Sequence, residues 1–154
     1  MFVYLVRHGD AKAEEVDPER PLSDRGWAEV ERVARHVGQL RLPLAEIRHS
    51  DKLRARQTAQ TFAKFLNPTS GVREARGLNP MDDPAIARDD IETFPESLML
   101  VGHLPHLGRL AQSLLGIDRE IFAFPPAAVV CLVRSTRGWL LEWILTPGSI
   151  PTES

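Results

Sequence analysis

Five residues, Phe2-Val3-Tyr4-Leu5-Val6, form an unbroken β-branched and aromatic run that stops abruptly at Arg7-His8-Gly9. A strand with one wet face alternates apolar and polar side chains, whereas an uninterrupted run reads as a central strand covered on both faces. A second such run, Leu98–Val101, stops just as abruptly at Gly102-His103. Between and after these lie segments of helical period. Ser23 caps one in which Trp27, Val30, Val33, Ala34, Val37 and Leu40 recur, and Ser50 caps another carrying Leu53, Ala59, Phe62, Ala63 and Leu66. Asn67-Pro68 and Ser70-Gly71 end that second helix.

Weaker signals fill the gaps. Ala45–His49 and Val72–Ala75 read as short strands, and Asp83–Ile91 reads as a short helix opened by Asp-Pro. Pro105 suits the first turn of a helix bearing Leu107, Leu110, Ala111 and Leu114. Ala128–Val133 and Trp139–Leu145, separated by Thr136-Arg137-Gly138, read as a terminal hairpin. Strands alternating with helices predict a three-layer α/β/α sandwich with a mixed, mostly parallel central sheet and a C-terminal hairpin. At 154 residues, with no internal repeat or linker, the chain is expected to form one domain over residues 1–154.

Composition narrows the function classes without choosing one. Lys and Arg total 19 against 21 Asp and Glu, so the basic excess of a duplex-binding protein is missing and no nucleic-acid partner is expected. Cys131 is the single cysteine, which rules out an internal disulfide framework and a multi-cysteine zinc site. Met1–Val6 lacks a basic flank and is too short for a signal-peptide core. The run Ala127–Val133 falls far below the roughly 20 residues needed to span a bilayer. A soluble cytoplasmic protein with no membrane partner is the expectation.

Ligands of α/β sheets gather at the carboxyl ends of the strands, and both sharp strand ends carry histidine. Taken alone, Arg7-His8-Gly9-Asp10 reads either as a turn histidine bonded to nearby backbone or as a nucleophile beside a phosphate-gripping arginine. The glycine would let backbone approach a ligand closely. In Ser50-Asp51-Lys52-Leu53-Arg54-Ala55-Arg56-Gln57-Thr58 a strand meets a helix N-terminus, where anions are favoured. Arg54 and Arg56 stand two apart and face different ways, so one of them reaches the site. His103 and His106 have a metal-like spacing, but no further ligand pattern accompanies them, and no metal is assigned. His36, His49, Cys131, Trp27, Trp139 and Trp143 read as structural.

In order and spacing, Val6-Arg7-His8-Gly9-Asp10-Ala11, Arg20-Pro21-Leu22-Ser23 with Gly26, Leu53-Arg54-Ala55 with Gln57-Thr58, Leu78-Asn79-Pro80 and Gly102-His103-Leu104-Pro105 resemble the histidine phosphatase superfamily. The resemblance is greatest to its small SixA-type phosphohistidine phosphatases, and it implies a phosphoglycerate mutase-like fold. It further implies that His8 is a nucleophile transiently phosphorylated, with Arg7, Arg54 and His103 around the phosphoryl group and Arg20 as an added phosphate contact. His103 would donate to a phosphate oxygen, protonated in the bound complex. No cofactor is implied, since arginines supply the charge that phosphoryl transfer requires.

Two departures bear on the substrate. Many relatives acting on alkyl phosphates carry a carboxylic acid after the second helix, where this chain reads Arg76-Gly77-Leu78. Asp10, Asp24, Asp82 and Asp83 are the remaining candidates, with Asp10 nearest the signature. Without an acid, imidazole is the favoured leaving group, since its conjugate acid titrates near pH ~6.5. The short chain also has little material for lids, which suits a phosphohistidine displayed on a partner protein. A small phosphomonoester or mutase substrate, or a phosphoprotein-binding module without turnover, are the alternatives. Asp51 stands where relatives commonly carry proline, and reads either as a helix cap beside Ser50 or as an acid facing the phosphate pocket.

Overall fold

The computed structural model describes residues 1–151. Its elements run β1 (Phe2–Arg7), α1 (Asp24–Gln39), β2 (Glu46–His49), α2 (Leu53–Leu66), β3 (Val72–Glu74), α3 (Pro84–Thr93), β4 (Leu98–Gly102), α4 (His106–Leu115), β5 (Val129–Ser135) and β6 (Gly138–Leu145). The six strands form one sheet in the order β3-β2-β4-β1-β5-β6. β3, β2, β4 and β1 run parallel to one another, while β5, antiparallel to β1, and β6 close one side as an antiparallel hairpin. This is the expected α/β/α sandwich.

The unbroken apolar run is explained by two cores. Tyr4 and Val6 point toward α1 and α2, where Val30, Val33, Val37, Ala59 and Phe62 are buried. Val3 and Leu5, on the opposite face, pack with Leu107, Leu110 and Ala111 of α4 and Ile91 of α3. Side chains alternate across a strand, so a two-sided core leaves no polar position in β1. Cys131 lies in the α1/α2 core, where burial pushes its thiol up to about 12. Among the described residues no helix is long and apolar enough to cross a membrane.

Several local expectations need correction. Trp27 is 41% exposed, because the buried stripe of α1 begins instead at Gly26. A Cβ there would stand 2.0 Å from the Asp10 carbonyl oxygen, so only glycine lets this helix turn meet the loop after β1. Ser23 does cap α1, accepting from the Gly26 amide. Ser50 does not cap α2: the N-cap is Lys52, with no side-chain cap, and Asp51 supplies none either. Pro105 precedes α4 as its N-cap and does not enter the first turn.

Candidate active site

Strand register builds the site. Arg7 pairs opposite Gly102, and His49 opposite Val101, so β1, β4 and β2 end at one level. The next residue of each chain segment is His8, His103 and Ser50. The His8 amide donates to the Gly102 carbonyl at 3.0 Å, carrying the β1–β4 ladder one step past the strands. The two rings then lie 4.8 Å apart, centroid to centroid, at 55°. Ser50 Oγ lies 2.6 Å from His103 Nε2.

The loop carrying His8 is fixed from α2 and α1. Gly9 N donates to Thr58 Oγ1, and Thr58 in turn donates to the Arg54 carbonyl. A Cβ on Gly9 would lie 2.5 Å from Val30 Cγ2. Gly9 is therefore required by the packing of α1. His8 Nδ1 donates to the Gly9 carbonyl at 2.7 Å, an assignment that follows from a carbonyl having no proton to give. The lone pair is thereby left on Nε2. Burial pushes His8 down to about 4, helped by the charges of Arg54, Arg7 and Arg20, so its ring is neutral near pH 7.

His103 is pushed down to about 3 by burial and then by His8, Arg54 and Lys52. In the free protein it is neutral; the protonated form expected on binding needs an anion to offset these cations. Ser50 Oγ also accepts from the Lys52 amide. We assign its own proton to His103 Nε2, which leaves the ring hydrogen on Nδ1. That Nδ1 is buried and has no protein partner, and neither do the buried Nε atoms of Arg7 and Arg54. Arg7 is held by Nη1 donating to the Phe124 carbonyl at 3.0 Å. Unpartnered buried donors on three separate segments, beside a neutral histidine, describe a receptor for an oxyanion.

Arg54 is half-buried and Arg56 exposed. Arg20 stands at φ 48°, its Nε donating to the Lys12 carbonyl, and its charge reaches both His8 and Arg54. Arg20, Lys52, Arg54 and Arg56 share a cavity of about 490 Å³ with Glu14, Glu19 and Asp51. A hollow of the same volume between α1 and Ile150 touches none of the candidate residues.

Carboxylates are absent from the charges acting on His8 and His103. Asp10 Oδ2 accepts the Ser23 hydroxyl at 2.6 Å, tying the signature loop to the start of α1. Asp82 accepts from the Asn79 amide, and Asp83 caps α3. Asp24 sits exposed in the first turn of α1. Asp51, exposed, meets Asn79 Nδ2 at 3.4 Å and Lys52 Nζ at 3.6 Å. Gly77 has φ 84°, and a Cβ there would lie 2.5 Å from Ile86 Cγ2. The backbone at that position refuses a side chain. Among the described residues, no group of three His, Cys, Asp or Glu could hold a metal ion. His106 is wholly buried at the start of α4.

Sequence reasoning found the histidines and arginines, took Ser50 for a helix cap, and quoted Gln57-Thr58 in the motif without giving either a role. Gln57 Oε1 accepts from the Leu22 amide and so joins α2 to the chain entering α1. Apart from the motif, each is a polar residue on an amphipathic helix or at a strand end, which is common on any surface.

Comparison with known proteins bears on the family and the fold. Residues 3–82 match the histidine phosphatase superfamily, branch 1. An uncharacterized protein of Picosynechococcus sp. is 35% identical, over 74% of this chain and 73% of its own. The structure of the protein histidine phosphatase SixA in complex with tungstate superposes with a TM-score of 0.83, at 24% identity, covering 96% of this chain and 98% of that one. SixA from Agrobacterium tumefaciens gives 0.81 at 26% identity, over 95% and 97%. A mutant phosphoserine phosphatase of Entamoeba histolytica bound to phosphoserine gives 0.75 at 14%, over 96% and 98%, a likeness of fold alone.

Proposed function

Because this chain belongs to the histidine phosphatase superfamily, branch 1, we propose that it is a phosphatase that hydrolyses phosphohistidine on a partner protein, with His8 as the phosphoryl acceptor. His8 Nε2 attacks phosphorus in line while the P–N bond to the substrate imidazole breaks. The substrate ring, protonated on its other nitrogen, departs as neutral imidazole. His8 then carries phosphorus on Nε2 and keeps its hydrogen on Nδ1, so its ring is cationic and the Gly9 carbonyl is well placed to stabilise it. Water attacks next: the new P–O bond forms, the P–N bond breaks with its electron pair returning to Nε2, and the proton lost by water passes to a phosphate oxygen, leaving neutral His8 and inorganic phosphate. Arg7, Arg54 and the Nδ1 hydrogen of His103 take the charge on the equatorial oxygens, with Arg20 at the rim.

The preference for phosphohistidine rests on Gly77. Its conformation and its contact with Ile86 leave no space for a general acid there, and Asp10 is committed to Ser23. An alkoxide leaving group needs a proton in flight, whereas a protonated phosphoimidazole does not. The test compares kcat/KM for a phosphohistidine protein with that for alkyl phosphates, using wild type and His8→Ala. Phosphohistidine is expected to be the better substrate by orders of magnitude, with no turnover by His8→Ala. Superior hydrolysis of an alkyl phosphate would overturn the substrate, and retained activity in His8→Ala would overturn the mechanism. Binding without turnover in wild type would mark a phosphoprotein-binding module.

A further inference from the structure

The cavity beside Arg54 carries two cations, Lys52 and Arg56, that the phosphoryl receptor does not use. Arg7, His8 and His103 do not line it; Arg54 and, at its rim, Arg20 belong both to the phosphoryl receptor and to this space. One wall is the first turn of α2 with Lys52, Arg54 and Arg56. The other is the loop before α1, pinned by Lys12 N to the Pro21 carbonyl, Arg20 N to the Asp17 carbonyl, and the Ala11–Leu22 bridge. That pinning holds Arg20 at its positive φ and anchors its Nε on Lys12.

Four cations and three acids line the cavity, and of the acids only Asp51 stands on the α2 side. Arg54 and Arg56 make no ion pair among the described residues, and Lys52 has only the 3.6 Å contact with Asp51. Arg20 and Arg54 repel one another. Like charges gathered in this way favour an anion shared between them. Glu14 and Glu19 line the same cavity from the loop wall, so an incoming acid is favoured on the α2 side and opposed on the other.

We propose that this cavity is a second anion subsite, which takes a carboxylate side chain flanking the phosphohistidine of the substrate protein. Lys52 and Arg56 are its specificity-determining residues, and the inference rests on the phosphohistidine reading above. Exposed ion pairs of this kind each contribute roughly two- to fivefold, so the pair contributes about tenfold at low salt, screened as salt is added.

Two peptide sets decide it. Phosphohistidine peptides that differ only in Glu or Gln beside the phosphohistidine are given to the full chain. The Glu peptide is expected to have about tenfold higher kcat/KM, with the ratio falling toward one in the Lys52→Ala/Arg56→Ala variant. The ratio should also reverse in favour of Lys-flanked peptides in Lys52→Glu/Arg56→Glu. Equal kcat/KM for Glu and Gln peptides in wild type, or a preference that survives the double alanine variant, overturns the subsite. A binding arm needs no turnover: phosphoserine peptides with the same flanks are titrated calorimetrically against His8→Ala and His8→Ala/Lys52→Ala/Arg56→Ala. Tighter binding of the Glu peptide to the first protein alone supports the subsite, and equal Kd values refute it. Failure to hydrolyse phosphohistidine overturns only the functional reading, because the Kd comparison still answers for the subsite.

Discussion

Lowering pH attacks this protein through the two site histidines before its carboxylates titrate. His8 is held down to about 4 and His103 to about 3, whereas both titrate near pH ~6.5 in the unfolded chain. The unfolded state therefore takes up two protons at these rings that the native state refuses, and His106, also held down by burial, adds to the same trend. Their stabilising contribution is complete above the unfolded value and is lost as pH falls from about 6.5 toward the native values. Between pH 7 and pH 5 each ring removes about 2 kcal/mol, so the pair removes about 4 kcal/mol. The whole fold has only about one to four times that to lose, since small domains are stable by about 5–15 kcal/mol.

Urea unfolding at half-unit steps over that pH range measures the slope. His103→Asn removes one titrating ring, so its loss of stability from pH 7 to pH 5 is expected to be about 2 kcal/mol smaller than wild type's. Inorganic phosphate is expected to flatten the wild-type slope by bringing the counter-charge that lets His103 accept a proton. Identical slopes in the two proteins would refute the claim that burial and the arginines hold His103 neutral.

Three further perturbations are direct. Arg54→Ala is expected to lower kcat/KM for phosphohistidine about a hundredfold or more, and to lose far more than Arg56→Ala; equal losses would overturn the choice of phosphate arginine. Gly77→Ala must adopt a positive φ and push into Ile86, so its unfolding free energy is expected to fall by about 2–4 kcal/mol in denaturant titration. Ser50→Ala frees His103 Nε2 from its only partner and is expected to reduce kcat about tenfold, with little change in the melting temperature.

The fold was legible wherever burial is two-sided or a turn needs special chemistry. β1 and β4 announced themselves by runs with no polar position, and α1 by Ser23 and its 3.6-residue stripe. His8 and His103 were legible because sharp strand ends carry few roles. What failed depended on contacts between distant segments. Ser50 resembles a helix cap in sequence, yet His103 claims its hydroxyl from across the sheet. Trp27 fits the stripe, yet the approach of Asp10 to Gly26 turns it outward. The reason for Gly9 could not be read before Val30 was known to pack on it.

Neutral histidines, unpaired arginines and a missing acid are consequences of one arrangement. A carboxylate within reach of His8 would raise its affinity for a proton and pair with Arg54, removing both the free lone pair on Nε2 and the cation that grips phosphate. Gly77 against Ile86, and Asp10 tied to Ser23, keep such a group away. The cost falls on the substrate side, because a site without an acid can expel only a leaving group that brings its own proton. Protonated phosphoimidazole is such a group. On the proposed function, the charge that keeps His8 neutral thus also limits what it can attack.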